Sequence, residues 1–206
     1  MSDMSTPPPP GPFDPNAPQA QPPPQNQAPL SARVPEKVAR GVFTTGQVVL
    51  DGPKEFVIDF FQHLTRPHQV VARVVVTPST MAELIGAMRT NIENYTRAFG
   101  PPPPLPLPAP SRTSLQELYD NFKVPDDMLA GVYANGVLIG HSPGEFFLDF
   151  LTAFYPAAAV SARIFLAAGQ APRFLAAMEN AHKQHLQKMA GQQQPPPQNP
   201  PPTPFG

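Results

Sequence analysis

The chain has 206 residues, 33 of them proline and none cysteine, with a formal net charge of −1. A near-neutral balance offers no global field for nucleic acid or an anionic membrane, and the lack of cysteine excludes disulfides, thiol catalysis and cysteine-ligated metal centres. No run approaches the roughly 18 apolar residues of a membrane span, and the opening MSDMSTPPPP has no secretory pattern, so the expectation is a cytoplasmic protein without membrane attachment.

Proline decides what can fold. Residues 1–30, 101–110 and 191–206 hold 25 of the prolines, mixed with glutamine and asparagine. Such segments lack backbone donors and apolar area to offset ordering entropy. Residues 1–36 and 191–206 are therefore predicted to be disordered tails, and residues 101–112 a proline-rich linker.

The first folded stretch opens GVFTTGQVVL, residues 41–50, rich in the β-branched and aromatic residues of strands. A turn at Asp51-Gly52-Pro53 leads to a second strand, Glu55–Phe61, and a third follows at Val70–Val76. Thr77-Pro78 reads as an N-cap and first helical residue. Met81, Leu84, Ile85, Met88, Ile92, Tyr95 and Phe99 then recur at helical spacing until Gly100 ends the run.

After the linker, Ser114-Leu115-Gln116-Glu117 resembles a capping box, and Leu115, Leu118, Tyr119 and Phe122 form a short amphipathic stripe. This segment is expected to pack on its own domain; otherwise it is a docking helix.

The rest repeats what came before. Placing residue n beside n+90 aligns residues 41–94 with 131–184 without a gap, giving 13 identities over 54 positions, among them Pro53/Pro143, Phe56/Phe146, Asp59/Asp149 and Arg73/Arg163. The second copy has strands at 131–140, Glu145–Leu151 and Val160–Leu166, and a helix with Phe174, Leu175, Met178, His182, His185 and Met189 on its stripe. The chain is a tandem duplication. The predicted fold class is α+β: two tandem β-β-β-α units at residues 37–100 and 113–190, the second with its preceding short helix. Their antiparallel sheets pack face to face with one long helix each, flanked by disordered proline-rich segments.

The strand faces sharpen this reading. Phe56, Ile58 and Phe60, with Phe146, Leu148 and Phe150, make wholly apolar faces that should receive the helices. The opposite faces are mixed: Val57, Asp59, Phe61, and Phe147, Asp149, Leu151. An ordinary solvent face would not flank an aspartate with such side chains, so these faces are predicted to pack on another sheet, in this chain or a second one. Asp59 with Arg73, and Asp149 with Arg163, are predicted structural ion pairs.

YANGVLIGHSPGEFFLDF (Tyr133–Phe150) resembles the opening signature of the bacterial and archaeal domain-of-unknown-function family 3467, and ARVVVTPSTMAELIGAMRTNIENYTRAFG (Ala72–Gly100) resembles its closing signature. Members typically carry one such domain, so the resemblance implies two here. Thr44-Thr45 stand where the second copy has Ala134-Asn135, and Ala181 and His182 stand where the first has Asn91 and Ile92. The resemblance implies no activity, because the family has none assigned. The strand-then-helix order is loosely similar to the export chaperone SecB at the level of fold alone.

No phosphate loop, nucleophile elbow or catalytic triad order stands out, and neither an enzymatic activity nor a cofactor is expected. His182 and His185 are three apart on one helix but lack a third ligand nearby in sequence, so no metal site is predicted. Glu145 and Asp149 share a strand face, as Glu55 and Asp59 do, and structure explains them more simply than acid–base chemistry. The expected function is a non-enzymatic protein-interaction or assembly module, with a SecB-like chaperone for apolar polypeptide segments as the alternative. The partners expected are another protein or a second copy, in a homo-oligomer or an intrachain pseudo-dimer, and not nucleic acid or a membrane.

Overall fold

The computed structural model describes residues 32–106, 114–154 and 157–192. Of the tails predicted at 1–36 and 191–206 and the linker predicted at 101–112, residues 1–31, 193–206 and 107–112 lie outside the described residues, while residues 191–192 are the last of the C-terminal helix rather than tail. In chain order the elements are β1 (Ala32–Arg33), α1 (Glu36–Ala39), β2 (Val42–Thr44), β3 (Gly46–Asp51), β4 (Phe56–Gln62), β5 (His68–Val76) and α2 (Pro78–Phe99). The second half has α3 (Leu115–Asp120), β6 (Phe122–Lys123), a 3-10 turn at Asp126–Met128, β7 (Val132–Ala134), β8 (Gly136–His141), β9 (Glu145–Phe154), β10 (Ala157–Ala167), a 3-10 turn at Ala168–Gln170 and α4 (Ala171–Gln192). Two curled sheets and their helices make an α+β fold of two sheet-and-helix units.

Local chemistry sets the helix ends. The Thr77 hydroxyl accepts from the Thr80 amide, Pro78 follows at the first helical position, and Gly100, at φ 83°, closes α2. Ser114 and Glu117 complete a reciprocal capping box on α3. Among the described residues no helix is long and apolar enough to cross a membrane.

The antiparallel core of each sheet comes from one repeat: β3-β4-β5 in the first, β8-β9-β10 in the second. The remaining strands are exchanged. β2 lies parallel to β10, Val42 beside Ile164 through Thr44 beside Leu166, and β7 lies parallel to β5, Val132 beside Val74 through Ala134 beside Val76. β1 joins β10 and β6 joins β5 in the same way, two residues each. Every one of these pairings recurs at the ninety-residue offset.

The continuous strands expected at 41–50 and 131–140 are therefore each two strands in different sheets. The chain enters through Gly41 and Gly131, at φ 62° and 68°, and turns again at Thr45 and Asn135. Thr44 Oγ1 donates within reach of the Gly46 and Phe61 carbonyls, while the Asn135 side chain clamps both backbone groups of Ala153. β1 and the start of α1 also fall inside the tail predicted to end at residue 36; Ala32 and Arg33 are ordered because β10 supplies a ladder for them. Linker residues 101–106 lie against the second repeat: Arg173 donates to the Leu105 carbonyl at 2.7 Å and to that of Pro106, and Leu105 sits beside Gly169.

The apolar faces of both sheets and the inner stripes of both long helices form a single core. The helices reach across the repeats. Tyr95 of α2 donates to the Pro143 carbonyl at 2.8 Å and packs on Phe146, while Phe174 of α4 meets Phe60. Phe60 also packs on its own equivalent, Phe150, with ring centroids 5.9 Å apart, and Arg89 pairs with its equivalent, Glu179, at 2.6 Å. A contact between equivalent positions places both pairs on a pseudo-two-fold axis. Separating the repeats would bare Phe56, Phe60, Phe146, Phe150 and Phe174, each almost wholly buried. At about 1.5–3 kcal/mol apiece, that burial is comparable to the whole stability of a domain, ~5–15 kcal/mol.

Candidate functional site

The mixed faces of β4 and β9 carry the ion pairs. Asp59 and Arg73 are Cα partners across β4 and β5, and the guanidinium donates two bonds to the carboxylate, at 2.7 and 2.8 Å. Asp149 and Arg163 repeat the fork across β9 and β10, with both distances 2.7 Å. The hydrogen bond to each carboxylate raises the pKa of each arginine, although burial opposes it. Arg73 also donates to the Leu129 carbonyl and Arg163 to that of Ala39, so each pair fastens the incoming segment of the other repeat.

The prediction that a second sheet covers the mixed faces is corrected here. Over Asp59 lies α3, whose Tyr119 hydroxyl donates to the carboxylate, and Phe122 of β6 packs on Phe61. Burial, and then the bond to Asp59, push the Tyr119 phenol well above its usual pKa. α3 thus docks on the sheet of the first repeat rather than on its own, because β6 pins it beside β5. Tyr119 was visible on the amphipathic stripe, but its partner, 60 residues away, was not.

Equivalent irregularities in β5 and β10 shape a cleft at the axis. The β4–β5 register slips at Val71 and the β9–β10 register slips at Ser161, so each strand carries a bulge at the same repeat position. Around these bulges lies a cleft of about 180 Å³, lined by Val71–Arg73, Ser161–Ile164, and the turns and strands that bring in Val38, Val42, Met128 and Val132. Arg73 and Arg163 therefore meet in one cleft, whereas Asp59 and Asp149 lie behind them.

The histidines of α4 differ in their polar partners. His185 Nδ1 lies 2.7 Å from Asp51 Oδ1, and Lys188 bonds the other oxygen. Burial works to raise the Asp51 pKa, but the Lys188 and His185 partners outweigh it and hold the carboxyl below its usual value. Both rings pack on Phe56, His185 at 5.1 Å and His182 at 6.2 Å between centroids, so the two histidines share Phe56 but only His185 bonds Asp51. Glu145, expected to share a face with Asp149, is exposed, while Asp149 is bound to Arg163.

Outside the core, sheet β2-β10-β9-β8 presents an aromatic row: Phe43, Phe165 and Phe147 are successive cross-strand partners, with Phe147 lying over Gly140. Phe43 and Phe147 are 39% and 37% exposed. At the far end of β9, away from this row, Tyr133 of β7 stacks on Phe154, which is 62% exposed.

A family model described as "Protein of unknown function (DUF3467)" matches the chain twice, over residues 13–102 and 110–192. Both matches begin ahead of the gapless repeat, consistent with β1 and β6 belonging to the folding unit. No curated protein and no solved structure matches.

Proposed function

The chain belongs to the DUF3467 family and carries its domain twice, and from that premise we propose that it is a non-enzymatic protein-interaction module. The observation that carries the reading is the outer row of Phe43, Phe165 and Phe147, set on a rigid sheet with Phe43 and Phe147 exposed on either side of a half-buried Phe165. The strand exchange supports it by fixing both sheets relative to the axis, so Tyr133 and Val75 hold on one sheet the positions that Phe43 and Phe165 hold on the other. A partner would lay apolar side chains across that row. The lack of cysteine suits a reducing, cytoplasmic setting.

A hydrophobic dye titrated into the native full-length chain tests this. Saturable binding that falls at least about tenfold in Phe43→Ser/Phe147→Ser, with the melting temperature held, supports the reading. Absent or unchanged dye binding removes it. The chaperone reading rests on the same side chains and predicts more: suppression of the light scattering of a thermally unfolding client protein at near-equal molar ratio, lost in the same variant.

A further inference from the structure

We propose that the cleft on the pseudo-two-fold axis is a binding site for a neutral, mainly apolar molecule about the size of a single or fused aromatic ring. Its origin lies in how the exchanged segments enter. β6 leaves β5 at Gln69, and β7 rejoins it only at Val74. β1 leaves β10 at Ala159, and β2 rejoins it only at Ile164. Between those points, residues 70–73 and 160–163 have no strand beside that edge among the described residues. The bulges at Val71 and Ser161 bend both strands at the same place.

The lining sets the ligand class. Its walls are aliphatic, with Val38 and Val42 answered across the axis by Met128 and Val132. Its charges cancel: each arginine is already forked onto an aspartate, and Lys37 on one rim faces its repeat equivalent, Asp127, on the other. An ionic ligand would give up hydration and find no net counter-charge. Polarity enters through Ser161, whose hydroxyl is 2.5 Å from that of Thr152, and through the open strand edges. Those groups can take one hydrogen bond from a ligand without demanding a salt bridge. At about 180 Å³ the space matches an apolar cavity that takes a benzene-sized molecule rather than a drug-sized one.

The test titrates indole, and separately benzoate as an anion of similar size, into the isotopically labelled full-length chain, following backbone amide resonances. Saturable shifts centred on Val71–Arg73 and Ser161–Arg163 are expected with indole, and binding at least about tenfold weaker with benzoate. Ser161→Phe, which fills the cleft, should weaken indole at least about tenfold. Ser161→Val, which copies Val71 of the first repeat, should not. If Ser161→Phe fails to fold, Val132→Phe fills the cleft from a partly exposed wall. Indole shifts scattered over the surface, equal binding of benzoate, or unchanged affinity in the filled variant would each overturn the proposal.

Discussion

Replacing Asp59 with alanine removes a carboxylate that is only 1% exposed and takes two bonds from Arg73 and one from Tyr119. What remains is a guanidinium 17% exposed and still tied to the Leu129 carbonyl, together with a phenol whose proton has lost its acceptor. Stranding one member of a buried pair costs about 3–5 kcal/mol, whereas an exposed pair is worth about 0–1. In a chain of this size 1 kcal/mol moves the melting temperature by roughly 2–4 °C, so Asp59→Ala should melt about 6–20 °C below the parent. Asp149→Ala should fall at the lower end, because Arg163 is 24% exposed and among the described residues no tyrosine hydroxyl bonds that carboxylate. Denaturant unfolding followed by circular dichroism measures both. A loss below about 1 kcal/mol for Asp59→Ala would mean water reaches Arg73 freely, and the buried-pair argument would fail.

Gly41→Ala and Gly131→Ala should each cost at least about 1–2 kcal/mol, since both residues have positive φ. A Cβ there would also meet the Phe165 ring at 2.5 Å or Arg73 Cγ at 2.8 Å, and thermal melts of the two variants check this. Spectrophotometric titration should show Tyr119 ionising well above the usual 10.0 of a tyrosine. Because the folded pKa is raised, its stabilisation holds below pH 10 and is lost as pH climbs through the folded value; Tyr119→Phe should flatten that alkaline decline. Asp51 works in the opposite sense: its folded pKa is depressed below 3.8, so its contribution holds above that pH and disappears as acid reaches the folded value. Asp51→Asn should therefore lose stability at neutral pH and show a shallower acid transition by urea unfolding.

The duplicated unit was legible because its signals are local. Thr77-Pro78 and Gly100 mark α2, Ser114 and Glu117 mark α3, and Phe56, Ile58 and Phe60 alternate as a buried strand face must. The partner of each strand was not legible. Val42–Thr44 and Gly46–Asp51 read as one β-rich run, because β propensity records the fit to a pleated surface and not which sheet supplies it. Two-residue strands such as Ala32–Arg33 carry no periodicity at all. Asp59 and Arg73 could be paired from the repeat and the strand faces, but Tyr119 could not be assigned to them, since its contact depends on the exchange. The cleft was equally hidden, because a one-residue slip at Val71 or Ser161 leaves no mark in composition.

Reciprocal exchange of β2 and β7 is the claim on which the common core, the docking of α3 and the axial cleft all depend. Inter-strand nuclear Overhauser contacts in the full-length chain address it directly. Val42–Thr44 should show them to Ile164–Leu166, and Val132–Ala134 to Val74–Val76. Contacts from Val42–Thr44 to Val74–Val76 instead would mean that each repeat closes its own sheet, contradicting the account.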